Sequence, residues 1–465
     1  MSLTKQVAQN TAVQMSGKVI STLLGVAVVA MVTRSLGPAG YGEYTTVITF
    51  LSFFGIVADL GLTLITAQMI SERGADESRI VSTIFTFRML SAFILFGLAP
   101  IAAYFAPLTG LEKFGITLTT WSFFFVSLQQ TLVGIFQKHL KMQHPTLAEI
   151  AGRVVLFLVT LLAVAWGKNL IWFLGAVTAG NIINFFYVFI AAQKIVPFRL
   201  NWDMPVMREL AYRAAPIAIS IMFNLVYLKA DTLVLRFVRP LAEVGLYGAA
   251  YRVIDILMMV PVMVMGVILP IATAAWTSGD VIRTRGILQK TFNSFFIFTA
   301  PVWFGGMILA PRLMSFVAGS EFSASGASLR ILLCAFVAAT ISTLFGHFIV
   351  VLQKQRRVVW VYAADAVLSL AAYIIFIPRF GATAAGWATF GSEAFAAVIL
   401  AYVVLRTTGA KIKFDIAARA FVAAIVMSAA VWAVGALPVV FILAVGAAVY
   451  AAVGWSLGIH KITAW

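Results

Sequence analysis

Four basic residues lie several turns inside apolar stretches of this chain: Lys18, Arg88, Lys229 and Arg252. An ionisable group at such a depth costs about 2.5 to 3.5 kcal/mol on insertion scales, and it usually faces a bundle interior or a water-filled path. Arginine and lysine there can hold a phosphate or diphosphate by charge-assisted hydrogen bonds while it crosses a region of low dielectric. Local alternatives exist for some of them. Asp255 follows Arg252 by three positions, on the same face of a helix, whereas Lys229 and Asp231 are two apart and need partners elsewhere. Lys18 and Arg88 have no acid three or four positions away. Glu149 and Arg153 are spaced for a local helical pair, which is a structural role. Among the acids, Asp59, Asp231, Asp255 and Asp365 are candidates for ion coupling or a polar network, and Asp59 is also placed to cap or hydrogen-bond near a helix end. Glu393 likewise has no basic neighbour in sequence.

The elements that must position these groups are membrane helices. The 465 residues are 62% hydrophobic and 11% charged, which leaves too little polar material to cover a soluble globule. Runs of about 20 apolar residues, separated by charged or Gly/Pro punctuation, predict fourteen spans between residues 9 and 459. The first run is longer than the core of a secretory signal and reads as a span. Nineteen Lys and Arg fall in one alternate set of connections and seven in the other, which places both termini in the cytoplasm. In such a protein the net charge of +16 decorates loops, and no soluble basic domain exists to bind nucleic acid. The fold class expected is an all-α integral membrane protein.

The stretch Arg34 to Tyr44, RSLGPAGYGEY, has a partner in Arg236 to Tyr251, RFVRPLAEVGLYGAAY. Each joins the first and second spans of a half, so the chain reads as a duplicated six-span unit. Repetition without inversion gives two lobes around a central cavity. The expected parts are an N-terminal lobe over 1–193, a cytoplasmic linker over 194–207, a C-terminal lobe over 208–406 and a helical hairpin over 407–465. The glycines of RSLGPAGYGEY are not a phosphate-binding loop, because the spacing and the lysine of that motif are absent. The four histidines and single Cys334 form no metal-binding pattern, and no hydrolase motif occurs, so no catalytic role and no metal are expected.

RSLGPAGYGEY, the ADLGL that ends the second span (Ala58 to Leu62), the YGAAYRV of the second half and IPRFGATAAGWAT (Ile377 to Thr389) resemble the polysaccharide-exporter branch of the multidrug/oligosaccharidyl-lipid/polysaccharide superfamily, with Wzx-type flippases as the nearest likeness. That resemblance implies a V-shaped alternating-access transporter of twelve core helices, here with two more. It implies transfer of an undecaprenyl-pyrophosphate-linked oligosaccharide between leaflets of a bacterial inner membrane, for O-antigen or exopolysaccharide assembly. No cofactor is expected beyond coupling to protons, sodium or the membrane potential. Membrane lipids are expected partners, with polymerase and chain-length proteins of the pathway as further candidates. A cation exporter of the multidrug branch is the second reading, disfavoured by the basic lean of the deep charges. A membrane-embedded glycan polymerase is the third, and no connection is long enough to carry the paired carboxylates it would need.

Overall fold

A computed structural model describes residues 3–59, 61–72 and 74–459, with side chains from residue 13 onward except those of 64 and 215–229. Among the described residues all regular structure is helical. In chain order the helices are α1 Leu3–Asp59, α2 Leu62–Ser71, α3 Glu77–Phe105, α4 Gly110–Lys138, α5 Gln143–Ala165, α6 Leu170–Gln193, α7 Met204–Val238, α8 Leu241–Thr277, α9 Val281–Ala318, α10 Ser325–Val351, α11 Gln355–Thr408, α12 Asp415–Ala433 and α13 Val439–Ser456.

Twelve of the thirteen helices can supply the fourteen expected spans, because α1 and α11 each divide in two at a glycine and the ten-residue α2 continues the second arm of α1. With 57 and 54 residues, α1 and α11 are long enough for two crossings of a core roughly 30 Å thick at about 1.5 Å per residue. Each turns at a glycine with positive φ, Gly37 at 64° and Gly381 at 58°. A side chain would strain that backbone, and the neighbouring Pro38 and Pro378 each remove a helical N–H donor. A further break at Gly61 detaches α2 from the second arm of α1.

The chain divides into two compact units, residues 1–245 and 246–465. In the first, α4 packs against α1, α2, α3 and α6, α5 packs between α1 and α6, and α7 rests on α1, α2 and α3. Leu62, Ile65 and Met69 of the α1–α2 corner meet Ile84 of α3 and Val206 and Leu210 of α7 in one apolar cluster. In the second unit α10 packs along α11 and α9, while α12 and α13 pair with each other and cover α9.

The connection from α6 to α7 is strapped to the side of α3. Three hydroxyls at four-residue spacing, Ser78, Ser82 and Thr86, meet backbone groups at two-residue spacing. Ser78 donates to the Pro197 carbonyl; Ser82 accepts from the Arg199 N–H at 3.1 Å and Thr86 from the Asn201 N–H at 2.9 Å. The match follows from geometry, since four helical residues rise about 6 Å and two extended residues about 6.6 Å. Phe198 is held by both its backbone groups to the Gln193 amide, at 2.8 and 3.2 Å, and its ring packs on Phe85 and Phe189. Asp203 ends the strap, capping α7 through the Val206 N–H and pairing with Arg79 at 2.6 Å. The Arg79 hydrogen bond and the Val206 N–H hold the Asp203 carboxyl below its ordinary range. Removing two rungs in Ser82→Ala/Thr86→Ala is expected to speed protease cleavage between residues 195 and 202 by about thirtyfold, taking each bond at roughly 1 kcal/mol. Unchanged cleavage rates in membranes would show that the hydroxyls do not hold the strap.

Candidate functional site

The first arm of α1 carries Lys18, whose ammonium lies 3.3 Å from Glu149 of α5. Thr22, one turn along, donates its hydroxyl to the Lys18 carbonyl at 2.7 Å. Lys18 is 38% exposed and Glu149 32%. Sequence pairs Glu149 with Arg153, and the structure adds Lys18 to the same carboxylate. The pair is accessible and single-bonded, so an anion of higher charge density can displace the carboxylate.

Arg88 is placed differently. Its side chain is 0% exposed, and its three nitrogens are all engaged. The Nε atom donates to the Ser127 carbonyl at 3.2 Å, Nη1 donates to the Ala58 carbonyl, and Nη2 donates to Asp59 at 3.1 Å. Asp59 accepts in addition from the Thr63 hydroxyl at 2.6 Å and the Gly61 N–H at 3.3 Å. Arg88 therefore sits in a seam of α1, α3 and α4 and satisfies groups freed where α1 ends. The expectation that it faces a water-filled path does not describe this conformation.

Lys229 lies outside the residues whose side chains are described. On the same helix Asp231 is buried, with the Thr232 N–H and hydroxyl on its Oδ1. Arg252 and Asp255 of α8 form the local pair their spacing allows, at a loose 3.8 Å, and both remain more than a third exposed. Asp365 is buried on α11, where its carboxylate accepts from Ser369 at 3.3 Å and from Ser392 at 2.9 Å. Ser369 is on its own arm of α11 and Ser392 on the other, so the acid bridges the bend at Gly381. Glu393, the next residue, hydrogen-bonds Ser342 of α10. Hydroxyls rather than bases satisfy these two acids, an arrangement suited to a proton or a small cation. Among the described residues no three His, Cys, Asp or Glu side chains group as a metal site.

One charged cluster escapes sequence reasoning. Glu112 is fully buried and takes a two-pronged contact from Arg236, Nε to Oε1 at 2.7 Å and Nη2 to Oε2 at 2.6 Å. The same carboxylate closes a capping box with Thr109, whose N–H it accepts at 2.7 Å. The Thr109 hydroxyl reaches Glu43 of the RSLGPAGYGEY joint at 3.4 Å. Thr109-x-x-Glu112 announces the cap, but nothing local announces Arg236. Next to Arg236 in sequence, the duplicated joints touch. A Cβ on Gly42 would collide with the Leu241 carbonyl, and one on Gly245 with the Pro38 carbonyl. The two copies meet backbone to backbone, with no room for a side chain.

Long apolar helices with buried polar groups of this kind define a multi-pass membrane protein. The fold is similar to that of the lipid II flippase MurJ in its inward closed conformation, with a TM-score of 0.79 at 12% identity over 95% of this chain and 97% of that one. It is also similar to an inward-facing multidrug-resistance transporter of the MATE family, with a TM-score of 0.71 at 12% identity over 86% and 98% of the two chains. Residues 7–276 match the model of the polysaccharide biosynthesis protein family, and the chain belongs to that family. A curated relative from Haloferax volcanii, described as the probable low-salt glycan biosynthesis flippase Agl15, is 22% identical over 391 residues, or 82% of this chain and 80% of its own.

Proposed function

We propose that this protein is a flippase for a lipid-linked oligosaccharide, carrying an undecaprenyl-diphosphate headgroup from the cytoplasmic to the periplasmic leaflet of a bacterial inner membrane by alternating access. Both termini would then be cytoplasmic, and polymerase and chain-length proteins would act on the product. The observation that carries the reading is the pair of accessible, weakly partnered bases within the spans, Lys18 at 38% and Arg252 at 41% exposure, in a chain of the polysaccharide biosynthesis family. Each sits beside a carboxylate that holds it until a diphosphate arrives. Arg88, clamped on three sides, is a framework residue in this scheme.

Lys18→Ala and Arg252→Ala are expected to lower surface glycan about ten- to a hundredfold at constant protein abundance, the equivalent of losing one charged hydrogen bond of roughly 1.5 to 3 kcal/mol. Lys18→Arg should restore most of it. Normal glycan display in both alanine variants would end the anion-binding assignment.

The driving force is assigned to a proton or sodium gradient or to the membrane potential, with Asp365 as the coupling acid, because it is buried among hydroxyls with no base on it in the described contacts. In proteoliposomes Asp365→Asn is expected to retain substrate binding and lose the acceleration that an imposed gradient gives. Equal acceleration of variant and parent under proton, sodium and potential gradients would remove Asp365 from the cycle.

A further inference from the structure

At the end of the second unit that carries the α8–α9, α10–α11 and α11–α12 connections, six bases stand exposed: Arg283, Arg285, Arg356, Arg357, Lys411 and Lys413. The connections are held side by side. Arg285 Nε donates to the Thr408 carbonyl at 2.6 Å, and the Gln289 amide bonds both backbone groups of Lys413 at 2.8 Å. Leu352 and Val358, flanking the α10–α11 turn, join Leu288, Val404 and Ala417 in the apolar cluster beneath.

Two carboxylates are available at that end, and both serve helix starts. Asp280 caps α9 by accepting the Arg283 N–H at 2.9 Å, and Asp415 lies in the first turn of α12. Among the described residues none of the six bases makes an ion pair. In the first unit Arg79 pairs with Asp203, Lys138 with Glu77, and Arg213 with Glu72 and Glu209, while Lys141, Lys194, Arg199 and Arg208 are exposed. Retention of positive charge on one side of a membrane explains the sign of both surfaces. It does not explain why six bases are gathered around these three connections with no carboxylate set against any of them.

The open surface is interleaved with apolar and aromatic side chains. Ile282 is 83% exposed and Phe414 61%, while Trp360 and Tyr402 are exposed on α11, the latter beneath the Arg406 guanidinium at 5.8 Å. A surface built to meet a soluble protein would leave these groups in water. At the boundary of a bilayer they sit where acyl chains give way to headgroups. Bases at that level attract anionic lipid within about one Debye length.

We propose that this end of the second unit is a binding surface for the phosphate headgroups of anionic phospholipids in the surrounding leaflet. The assignment does not depend on what the protein transports. The whole chain, reconstituted in nanodiscs, provides the test through its melting temperature. Exchanging neutral phosphatidylcholine for a mixture containing phosphatidylglycerol should raise the melting temperature of the parent, and added salt should reduce the rise. Arg356→Gln/Arg357→Gln/Lys411→Gln/Lys413→Gln should match the parent in neutral lipid and lose more than half of the rise. Should that variant fail to fold, Arg356→Gln/Arg357→Gln alone should lose part of it. Arg312→Gln/Arg379→Gln, which removes two exposed bases from the other end of the same unit, should keep it. Full retention by the first variants, or equal loss by the last, overturns the proposal. A rise produced by a polyprenyl diphosphate in neutral lipid and not by phosphatidylglycerol overturns it as well, in favour of the transported lipid.

Discussion

Arg88→Ala should fail as a folded protein before it fails as a transporter. The substitution strips a donor from two carbonyls and a carboxylate where α1 ends, and leaves Asp59 with its charge uncompensated in a seam. Breaking a buried ion pair at one partner costs about 3 to 5 kcal/mol. The expected result is a large drop in membrane abundance and in melting temperature in detergent. Asp59→Asn/Arg88→Met, which removes both charges and keeps volume, should recover part of the loss. Lys18→Ala, by contrast, should leave abundance untouched and lower glycan export alone. If Arg88→Ala is made at normal levels with a normal melting temperature and still blocks export, the residue binds substrate and the clamp described above is secondary.

Gly245→Ala should carry the second large effect. Its new methyl group would lie inside the contact radius of the Pro38 carbonyl and 2.8 Å from the Gly42 nitrogen, and both neighbours are backbone that no rotamer change can move. Overpacking of that kind costs about 1 to 3 kcal/mol or more. Gly42→Ala meets the Leu241 carbonyl from the other side of the same contact. Once one substitution has parted the two joints, the second has less left to disturb. The double variant should therefore lose less melting temperature than the two single losses added together, since residues in one contact do not act independently. Strict additivity would mean that the joints tolerate the methyl groups separately, by local adjustment.

The helices were legible because a bilayer demands long apolar runs, and the bends at Gly37 and Gly381 because glycine and proline at such places have few other uses. The i to i+3 pair Arg252 and Asp255 was legible for the same local reason. The remaining charge partners were not. Arg88 finds Asp59 at a separation of 29 residues, Arg236 finds Glu112 at 124, and Lys18 finds Glu149 at 131. Periodicity reports which face of a helix a residue occupies and nothing about the helix opposite. Arg88 shows the consequence: a deep base with no local acid looks like a ligand for substrate, and the structure gives it a framework role. Glu112 shows the converse, a residue given no role from sequence that closes both a helix cap and a long-range ion pair.

The strap on α3 constrains how this chain and its relatives can differ. Its rungs use backbone groups of residues 197, 199 and 201, so most side chains there can change without loosening it. Adding or deleting a single residue would turn the backbone groups of every later rung to the opposite side of the strap, away from the hydroxyls. Within this connection the inherited quantity is the count of residues rather than their kinds. Relatives that share the device should accumulate substitutions between α6 and α7 freely while holding the spacing from Pro197 to Asp203 fixed.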